Sequence, residues 1–442
     1  MITLLYFIAM IIIVVGVHEW GHYLAARFFG VRVLRFSIGF GKPLIKKTDK
    51  AGTEWALAPI PLGGYVRMLD RNSLSSIPGA TAQQTMEAQN NWARFIIYAA
   101  GPLANIVLSF FILIGVFMAG ETGLLARIGK VVENSPAAQA GLVAGDDIIA
   151  VNGEKTLLWQ QAAMALVDAA LQEEAVYIDT TVGAYTLPAG SLRPADVENG
   201  LLSAAGLIPD MSYLTQTIQA VMPESAAANA GLKVGDLVVA IDGQVLDGWS
   251  DLVTLVQARP GQEAPIILWR DGGVLTAVVR FDEARQGGRA IGQLGVVPAV
   301  AAASLQELLT TVQLSPGAAV VAAWQKVGSD IARTFAFLGG MVAGKLSFEK
   351  NISGPVGIAV GAGAAANTGT WWAFVALISI SLAVINLLPL PLLDGGQMVI
   401  CVIQSLIRRP LPDKILQVLE RAGMVLLLFL MAWIILLDLT RL

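Results

Sequence analysis

Long apolar runs alternate with polar stretches along the chain, and they predict membrane-spanning helices. A helix needs roughly 20 apolar residues to cross about 30 Å of hydrocarbon, and four runs meet that requirement. Backbone polar groups at membrane depth must be hydrogen-bonded internally, so each run is expected to be helical. The predicted transmembrane helices lie within residues 1–29, 94–120, 371–398 and 422–442.

The stretches between these helices predict four further regions. Residues 30–93 contain strands interrupted by glycine and proline, which predict a loop with a membrane-associated β-hairpin region. Residues 299–370 combine amphipathic helical patterns with a glycine-rich segment, and we expect them to form a connector. Residues 399–421 are predicted to be a second, shorter loop. The remaining stretch, 121–298, contains an internal repeat.

The repeat has an offset of 90 residues and predicts two compact domains in tandem. NSPAAQAGLVAGDDIIAVNG (134–153) aligns with ESAAANAGLKVGDLVVAIDG (224–243). Each copy reads as a short helix, glycine turns, an apolar strand and an Asn-Gly or Asp-Gly hairpin turn. The pattern resembles the PDZ domain, whose sheet edge accepts an extended peptide. We expect these domains at 121–208 and 209–298, either as peptide-binding modules or as spacers without a ligand.

These patterns predict a polytopic α-helical membrane protein with four transmembrane helices, a membrane-associated β-hairpin region and two tandem PDZ-like α+β domains. Composition agrees, because the 442 residues have a mean hydropathy of +0.65 and are only 14% charged, against about 25% in soluble proteins. A net charge of −4 gives no basic excess for binding nucleic acid. The single cysteine, Cys401, excludes an internal disulfide.

The distribution of basic residues indicates the orientation in the membrane. Ten lysines and arginines lie from Arg27 to Arg94, in or directly beside the loop between the first two predicted helices, and four lie between the last two. Short loops rich in these residues stay in the cytoplasm, so both chain ends and the stretch 120–350 are expected on the outer side. The first apolar run follows no basic n-region, which favours a retained transmembrane helix over a cleaved signal peptide.

Both histidines of the chain lie in the first apolar run, in GVHEWGHYLA (16–25). Residues four apart share one face of a helix, so His18 and His22 can bind one metal ion. Glu19 projects about 100° away and can reach a water on that metal. This is the H-E-x-x-H arrangement of zinc hydrolases, with glutamate as the general base. Ionisable groups inside a membrane helix are costly and usually functional, which favours a metal site over chance packing.

A third ligand has to come from elsewhere, because a catalytic zinc site has three protein ligands and one open position. Asp394 in NLLPLPLLDGG (386–396) is the best candidate, since Pro389 and Pro391 break the helix before it. Broken backbone at membrane depth is tolerated where it lines a cavity. The alternatives are that Asp394 faces water at a helix end, or that Asp438 is the ligand, although Asp438 is expected at the opposite membrane face.

Two asparagines in apolar surroundings are further candidates. The amide of Asn386 can bind a substrate carbonyl or a developing oxyanion. Asn105 ends the motif GPLAN (101–105) in the second predicted helix. It either makes an interhelical hydrogen bond or faces the metal cavity, where it would contact substrate.

HEWGH, GPLAN and NLLPLPLLDGG, in this order on three predicted spans, resemble the site-2 protease family of intramembrane zinc metalloproteases. The resemblance implies that His18, His22 and Asp394 bind zinc (Zn2+) and that Glu19 is the catalytic residue. It also implies that Asn386 engages substrate. The hairpin PLGGYVRMLD (61–70) resembles the family's membrane-associated region, which implies that substrate is presented as an extended strand along four of its residues, Gly63, Gly64, Tyr65 and Val66.

The same resemblance implies substrates, partners and location. Family substrates are single transmembrane helices, such as a membrane-bound anti-sigma factor already cut by a periplasmic protease, and remnant signal peptides. The PDZ-like pair is implied to contact outer segments of substrates and to reject untrimmed ones. The expected location is the bacterial inner membrane, with the PDZ-like domains periplasmic and the active site near the cytoplasmic side. One departure is Gln397, where close relatives often have histidine.

Two other functions compete with the protease. A non-catalytic membrane scaffold that binds partners through its tandem PDZ-like domains explains the repeat, but it does not explain His18, His22 and Asp394 together. A metal-ion transporter needs polar residues along a path through several spans, and the second predicted helix offers almost none.

Overall fold

The computed structural model describes residues 2–286 and 289–440, which form two compact units. The first unit contains the chain up to Gly120, Gln313–Leu338 and the chain from Phe348 onward, and the second contains Glu121–Val312 and Gly339–Ser347. In chain order the α-helices are α1 (Ile2–Phe28), α2 (Asn91–Ala119), α3 (Pro136–Ala140), α4 (Trp159–Gln172), α5 (Pro194–Asn199), α6 (Leu201–Ala205), α7 (Ala226–Asn229), α8 (Trp249–Gln257), α9 (Ala302–Leu308), α10 (Pro316–Val342), α11 (Phe348–Asn351), α12 (Pro355–Asn367), α13 (Trp371–Asn386), α14 (Asp394–Ile407) and α15 (Asp413–Thr440).

The strands lie in the predicted β region and in the second unit. They are β1 (Val33–Phe40), β2 (Ile45–Thr48), β3 (Glu54–Leu57), β4 (Ile60–Met68), β5 (Glu121–Leu124), β6 (Ile128–Val131), β7 (Ile148–Val151), β8 (Glu154–Lys155), β9 (Val176–Thr180), β10 (Ala184–Leu187), β11 (Leu207–Pro209), β12 (Leu214–Val221), β13 (Leu237–Ile241), β14 (Gln244–Val245), β15 (Glu263–Arg270), β16 (Gly273–Arg280), β17 (Asp282–Gln286), β18 (Arg289–Gln293), β19 (Val296–Val300) and β20 (Leu309–Val312).

Apolar helices build the first unit. Among the described residues, α1, α2 and α15 are long and apolar enough to cross a membrane, whereas α13 and α14 are shorter apolar helices. α1 packs against α2 and α12, and α13 packs against α2. Asn90 begins α2 by accepting a hydrogen bond from the amide of Ala93 at 2.8 Å, which satisfies one of the free amides at a helix start.

The third predicted span differs from the observed structure. Instead of one segment at 371–398 followed by a loop at 399–421, α13 ends at Asn386, residues 387–393 are irregular, and α14 continues to Ile407. α13 lies against the second half of α2, where Ser109 Oγ donates to the Ala376 carbonyl at 3.0 Å. α14 lies against the first half, where Arg94 donates to Gln404 at 3.0 Å. The helix continues because apolar residues recur at helical spacing after the two prolines.

The predicted β region is a four-stranded sheet in the order β2-β3-β1-β4. β1 runs parallel to β3 and antiparallel to β4, with Ser37 opposite Tyr65 and Ile38 opposite Gly64. The sheet contacts α1 through both β1 and β4. An aromatic cluster lies at this contact, and Trp55 is central to it, with ring centroids 4.7 Å from Phe36 and 5.8 Å from Trp20. The sheet is therefore held beside the helix that carries the histidines.

The two sequence repeats form separate hydrophobic cores in the second unit. Their hairpin turns match, since Asn152 and Asp242 both have φ of 50°, the left-handed backbone that such turns require. The repeats differ at a buried carboxylate. Arg270 donates to both oxygens of Asp236, at 2.6 and 2.7 Å, and holds the pKa of Asp236 below its usual value. The corresponding Asp146 lacks this partner, because β9, the strand that corresponds to β15, contains no arginine.

Candidate active site

The two histidines of α1 face the interior of the first unit. His18 and His22 are each 7% exposed, and Glu19 between them is 9% exposed. The spacing of four residues places both rings on one helix face, with their Nε2 atoms 3.2 Å apart. His18 lies ten residues before the end of α1, which corresponds to a depth of about 15 Å at 1.5 Å per residue.

Asp394 joins this pair from a segment more than 370 positions later in the chain. Its Oδ2 atom is 3.2 Å from His18 Nε2 and 3.3 Å from His22 Nε2. The glycines that follow it are required by close packing, because a Cβ on Gly395 or Gly396 would collide with the backbone of the irregular segment 387–393. The structure therefore brings together the three residues that the sequence nominates as ligands.

The three ligand atoms suit a zinc ion in chemistry and in spacing. Imidazole nitrogen and carboxylate oxygen are usual zinc ligands, bound at about 2.0–2.2 Å. Tetrahedral bonds of that length separate ligand atoms by about 3.3–3.6 Å, close to the separations of 3.2 and 3.3 Å found here. Three protein ligands leave one position open, which is typical of a catalytic site rather than a structural one.

Helix α2 forms the wall behind the two rings. His22 Nδ1 lies 2.8 Å from the carbonyl oxygen of Ile97, so it donates there and leaves Nε2 free to bind a metal. Gly101 lies one turn further along α2. A Cβ at this position would collide with His22 Nε2 and lie 2.9 Å from His18 Cε1. The close approach of α2 to the histidines therefore depends on glycine at position 101.

Comparison with known proteins assigns nearly the whole chain to one protein family. The sequence model of Peptidase family M50 matches residues 6–430. The chain belongs to peptidase family M50. This is the site-2 protease family that the three motifs resemble, and the chain is therefore a site-2 type zinc metalloprotease.

Full-length relatives support the assignment. The chain is 36% identical over 453 residues to the regulator of sigma-E protease RseP of Escherichia coli K12, covering 99% of this chain and 98% of the relative. It is 37% identical over 453 residues, with the same coverage, to a Vibrio cholerae protein provisionally named as a zinc metalloprotease. A solved PDZ domain from the SdrC-like protein of Listeria monocytogenes covers 20% of this chain and 92% of its own, at 18% identity and a TM-score of 0.18.

In this M50 protease, Glu19 lies beside the edge strand of the sheet. The strand β4 comes so close that a Cβ at Gly64 would be 3.0 Å from Glu19 Cγ and 2.7 Å from the Ser37 carbonyl oxygen. Val66, two residues along the strand, has its backbone near the Glu19 carboxylate. The predicted substrate-contacting strand is therefore adjacent to the predicted catalytic residue.

The other predicted residues have more varied surroundings. Gly63 and Tyr65 lie on β4, and Tyr65 accepts a hydrogen bond from Arg35 at 3.1 Å. Asn386 is the last residue of α13, directly before the break that leads to Asp394. Asn105 is fully buried against His18, with its Nδ2 atom 3.5 Å from His18 Nδ1. The structure thus places Asn105 behind a ligand rather than at an open substrate surface.

The rival acid Asp438 serves a different purpose in the M50 protease. Its carboxylate accepts hydrogen bonds from the amides of Gly354, Val356 and Gly357, at 3.0, 2.9 and 3.2 Å. These amides belong to the first turn of α12, so Asp438 caps that helix and favours its positive end. Asp438 is thus engaged at a helix start rather than with the two histidines.

Three groups around the site were not nominated from the sequence. The Ile97 carbonyl leaves no trace in a sequence, because every residue carries one. Ser379 of α13 donates to the backbone carbonyl of Asn105 at 3.0 Å. The Oγ atom of Ser109 on α2 lies 2.9 Å from the same carbonyl and 3.0 Å from the Ala376 carbonyl of α13. The contacts of Ser379 with Asn105 and of Ser109 with Ala376 tie α13 to α2. In the sequence, the available signal for this contact was the presence of serines in otherwise apolar helices.

Proposed function

We propose that this chain hydrolyses a peptide bond inside a transmembrane segment of its substrate. The observation that carries the proposal is the meeting of His18, His22 and Asp394 about 15 Å from the end of a helix long enough to cross a membrane. Glu19, nearly buried beside them, is the proposed general base. The family membership gives the reaction class, and this constellation supports the residues that perform it.

The proposed mechanism divides the work between metal and carboxylate. His18, His22 and Asp394 would hold the zinc ion, which when bound would supply a Lewis acid for the scissile carbonyl and would lower the pKa of water from about 15.7 to about 7. Glu19 accepts a proton from the attacking water as its oxygen bonds to the carbonyl carbon. When the C–N bond breaks, Glu19 returns that proton to the amide nitrogen, which leaves as an amine. The low exposure of Glu19 keeps bulk water away from this transfer.

We further propose that substrate binds along β4 as an added strand. Helical amides are shielded from attack, so a transmembrane substrate has to unwind before it is cut. β4 is the last strand in its sheet order and pairs with β1 along one edge, and strand addition to a sheet edge is a common mode of peptide binding. Gly64 and Val66 would place such a strand next to Glu19. Asn386 would then bind a substrate carbonyl.

The substrates and orientation are also part of the proposal. The relatives named as regulators of sigma-E protease favour membrane-bound anti-sigma factors as substrates, and the family resemblance of the three motifs adds remnant signal peptides. The basic loops favour an inner-membrane protein with its active site near the cytoplasmic side. The two repeats would then lie in the periplasm as PDZ-like domains and contact the outer segments of substrates.

Cleavage of a tagged transmembrane helix by Glu19→Gln tests the mechanism. Glutamine preserves size and polarity but cannot accept the proton, so we expect turnover to fall by about 100- to 10,000-fold. Zinc content should stay at about one ion per chain in both proteins. Turnover in the variant equal to wild type would refute the role of Glu19. A wild-type chain without zinc or cleavage would favour the membrane scaffold instead.

A further inference from the structure

Asn105 lies on a stripe of α2 that faces the metal-binding helix. Ile97, Gly101, Asn105 and Ser109 follow one another at intervals of four residues and therefore share one helix face. All four are buried, and Ile97, Asn105 and Ser109 are each 0% exposed. Ile97 is the partner of His22 and Gly101 lies against both rings, so the stripe is the wall behind both imidazoles.

Of the two polar atoms of the Asn105 amide, one has no hydrogen-bond partner and the other faces His18. Within the described part of the chain, the Asn105 Oδ1 atom is buried and has no hydrogen-bond partner, although a buried carbonyl oxygen without a partner costs about 1–3 kcal/mol. The other amide atom, Nδ2, lies 3.5 Å from His18 Nδ1. One half of the amide is thus unsatisfied, and the other half faces an imidazole nitrogen.

The tautomer of His18 determines which atom of the Asn105 amide should face His18 Nδ1. His18 directs Nε2 toward Asp394, 3.2 Å away, and a neutral imidazole that binds metal through Nε2 carries its proton on Nδ1. That N–H is a donor and needs an acceptor, as His22 finds in Ile97. A half-turn of the Asn105 amide exchanges its oxygen and nitrogen without changing its shape. The oxygen then accepts from His18 Nδ1.

We propose that Asn105 is a positioning residue whose amide oxygen accepts a hydrogen bond from His18 Nδ1 and thereby fixes the tautomer and ring orientation of that zinc ligand. This inference rests on the proposed function. The histidines are then oriented by two different acceptors on one helix, a backbone carbonyl for His22 and a side chain for His18. Partners of this kind typically contribute 10–100-fold to metal affinity, so the role is measurable without any substrate.

Zinc affinity of the full chain in detergent, measured by competition with a chromophoric chelator, tests this role. Asn105→Leu keeps the branched side-chain shape but removes the acceptor, and we expect affinity to fall by about 10- to 100-fold. Asn105→Asp restores an acceptor and should bind zinc at least as tightly as wild type. Ser109→Ala is the matched control, because Ser109 is a buried polar residue on the same stripe that hydrogen-bonds α13 without contacting His18.

Nuclear magnetic resonance gives a second readout that packing alone would not change. His18 and His22 are the two histidines of the chain, so [15N]histidine labelling yields two imidazoles. In the zinc-loaded Asn105→Leu variant, we expect the hydrogen-bonded shift of one Nδ1–H to be lost and the other to remain. In Asn105→Asp and Ser109→Ala, both should remain.

Several results would overturn this inference. One is a zinc affinity of Asn105→Leu that equals that of wild type. Another is a loss of zinc affinity in Asn105→Asp or in Ser109→Ala as large as the loss in Asn105→Leu, which would mean that Asn105 contributes only to helix packing. These outcomes differ from failure of the proposed function. If wild type itself binds no zinc, the proposed function fails. If wild type and Asn105→Leu bind zinc equally, only the role of Asn105 fails.

Discussion

At the scale of single residues, glycines determine how closely the backbone approaches the metal-binding side chains. Gly21 on α1 faces the Ala100 carbonyl, and Gly101 on α2 faces both imidazoles. Gly64 on β4 lies against Glu19, and Gly395 lies against the broken segment before Asp394. At each position a single methyl group would meet backbone or ligand atoms. The site is therefore shaped by close contacts that leave no room for a side chain.

Substitution of Gly101 by alanine should damage the metal site directly. The added methyl group would overlap the rings of His18 and His22, and overpacking of this kind costs about 1–3 kcal/mol. We expect the zinc content of purified Gly101→Ala to drop well below that of wild type, together with its thermal stability.

Gly115→Ala provides the matched control on the same helix. A Cβ at Gly115 would meet no atom within 4 Å, and alanine favours helix over glycine by up to about 1 kcal/mol. Its zinc content and thermal stability should equal or slightly exceed those of wild type. Equal zinc content in both alanine variants would contradict the close approach of α2 to the histidines.

At the scale of elements, the combined length of α13 and α14 matches the length of α2, against which both helices pack. At 1.5 Å per residue, α13 is about 24 Å long, α14 about 21 Å and α2 about 44 Å. α13 alone is short for a hydrocarbon core of about 30 Å. We infer that α13, the irregular residues 387–393 and α14 form one discontinuous crossing, interrupted at the depth of the metal ligands. Such interruptions are tolerated where protein surrounds them.

A lysine on the exposed face of α14 tests the discontinuous crossing. Val399 is 43% exposed and Leu406 is 77% exposed, but Val399 is near the interruption and Leu406 near the helix end. A lysine deep in the membrane costs about 2.5–3.5 kcal/mol, whereas one near the surface extends its amine to water. We expect Val399→Lys to lower the yield and thermal stability of membrane-inserted protein, and Leu406→Lys to have little effect. If residues 399–421 were a cytoplasmic loop, both variants would behave like wild type.

The break in the third span shows how far the sequence could predict the elements of the site. Pro389 and Pro391 predict the interruption because they cannot continue a helix, and Asp394 stands out as an acid beside an apolar run. The helix after the break was missed, because residues 399–421 were predicted to be a loop, whereas α14 continues to Ile407. Both glutamines of α14 have partners within the fold, because Gln397 donates to the Pro391 carbonyl at 2.8 Å and Gln404 accepts from Arg94.

Contacts that depend on tertiary structure could not be predicted from the sequence. The ligands were predictable, because histidine and aspartate side chains are costly in apolar segments and are usually kept there for a function. The acceptors behind them were not, because a carbonyl such as that of Ile97 has no residue type. The side chain of Asn105 allowed two interpretations until its neighbour was known.

At the scale of the whole molecule, the catalytic unit is assembled from separated parts of the chain. The stretch Glu121–Val312 is inserted between α2 and the later helices of the first unit. His18 and Asp394 therefore come from parts of the first unit that are separated along the chain by the whole stretch Glu121–Val312. With α1, α2, the discontinuous crossing and α15, we infer four crossings. Four crossings would place both chain ends and the stretch Glu121–Val312 on the same side of the membrane.

Labelling of single cysteines from one side of the membrane tests this arrangement. In a Cys401→Ser background, Lys47→Cys lies in the basic loop and Asp271→Cys in an exposed turn of the inserted unit. Because basic loops stay in the cytoplasm, an impermeant maleimide added to spheroplasts should label position 271, and position 47 only after permeabilisation. Labelling in detergent controls for the reactivity of both thiols. If both positions react from the outside, α1 and α2 do not enclose a cytoplasmic loop, and the ligands near the end of α1 cannot lie toward the cytoplasm.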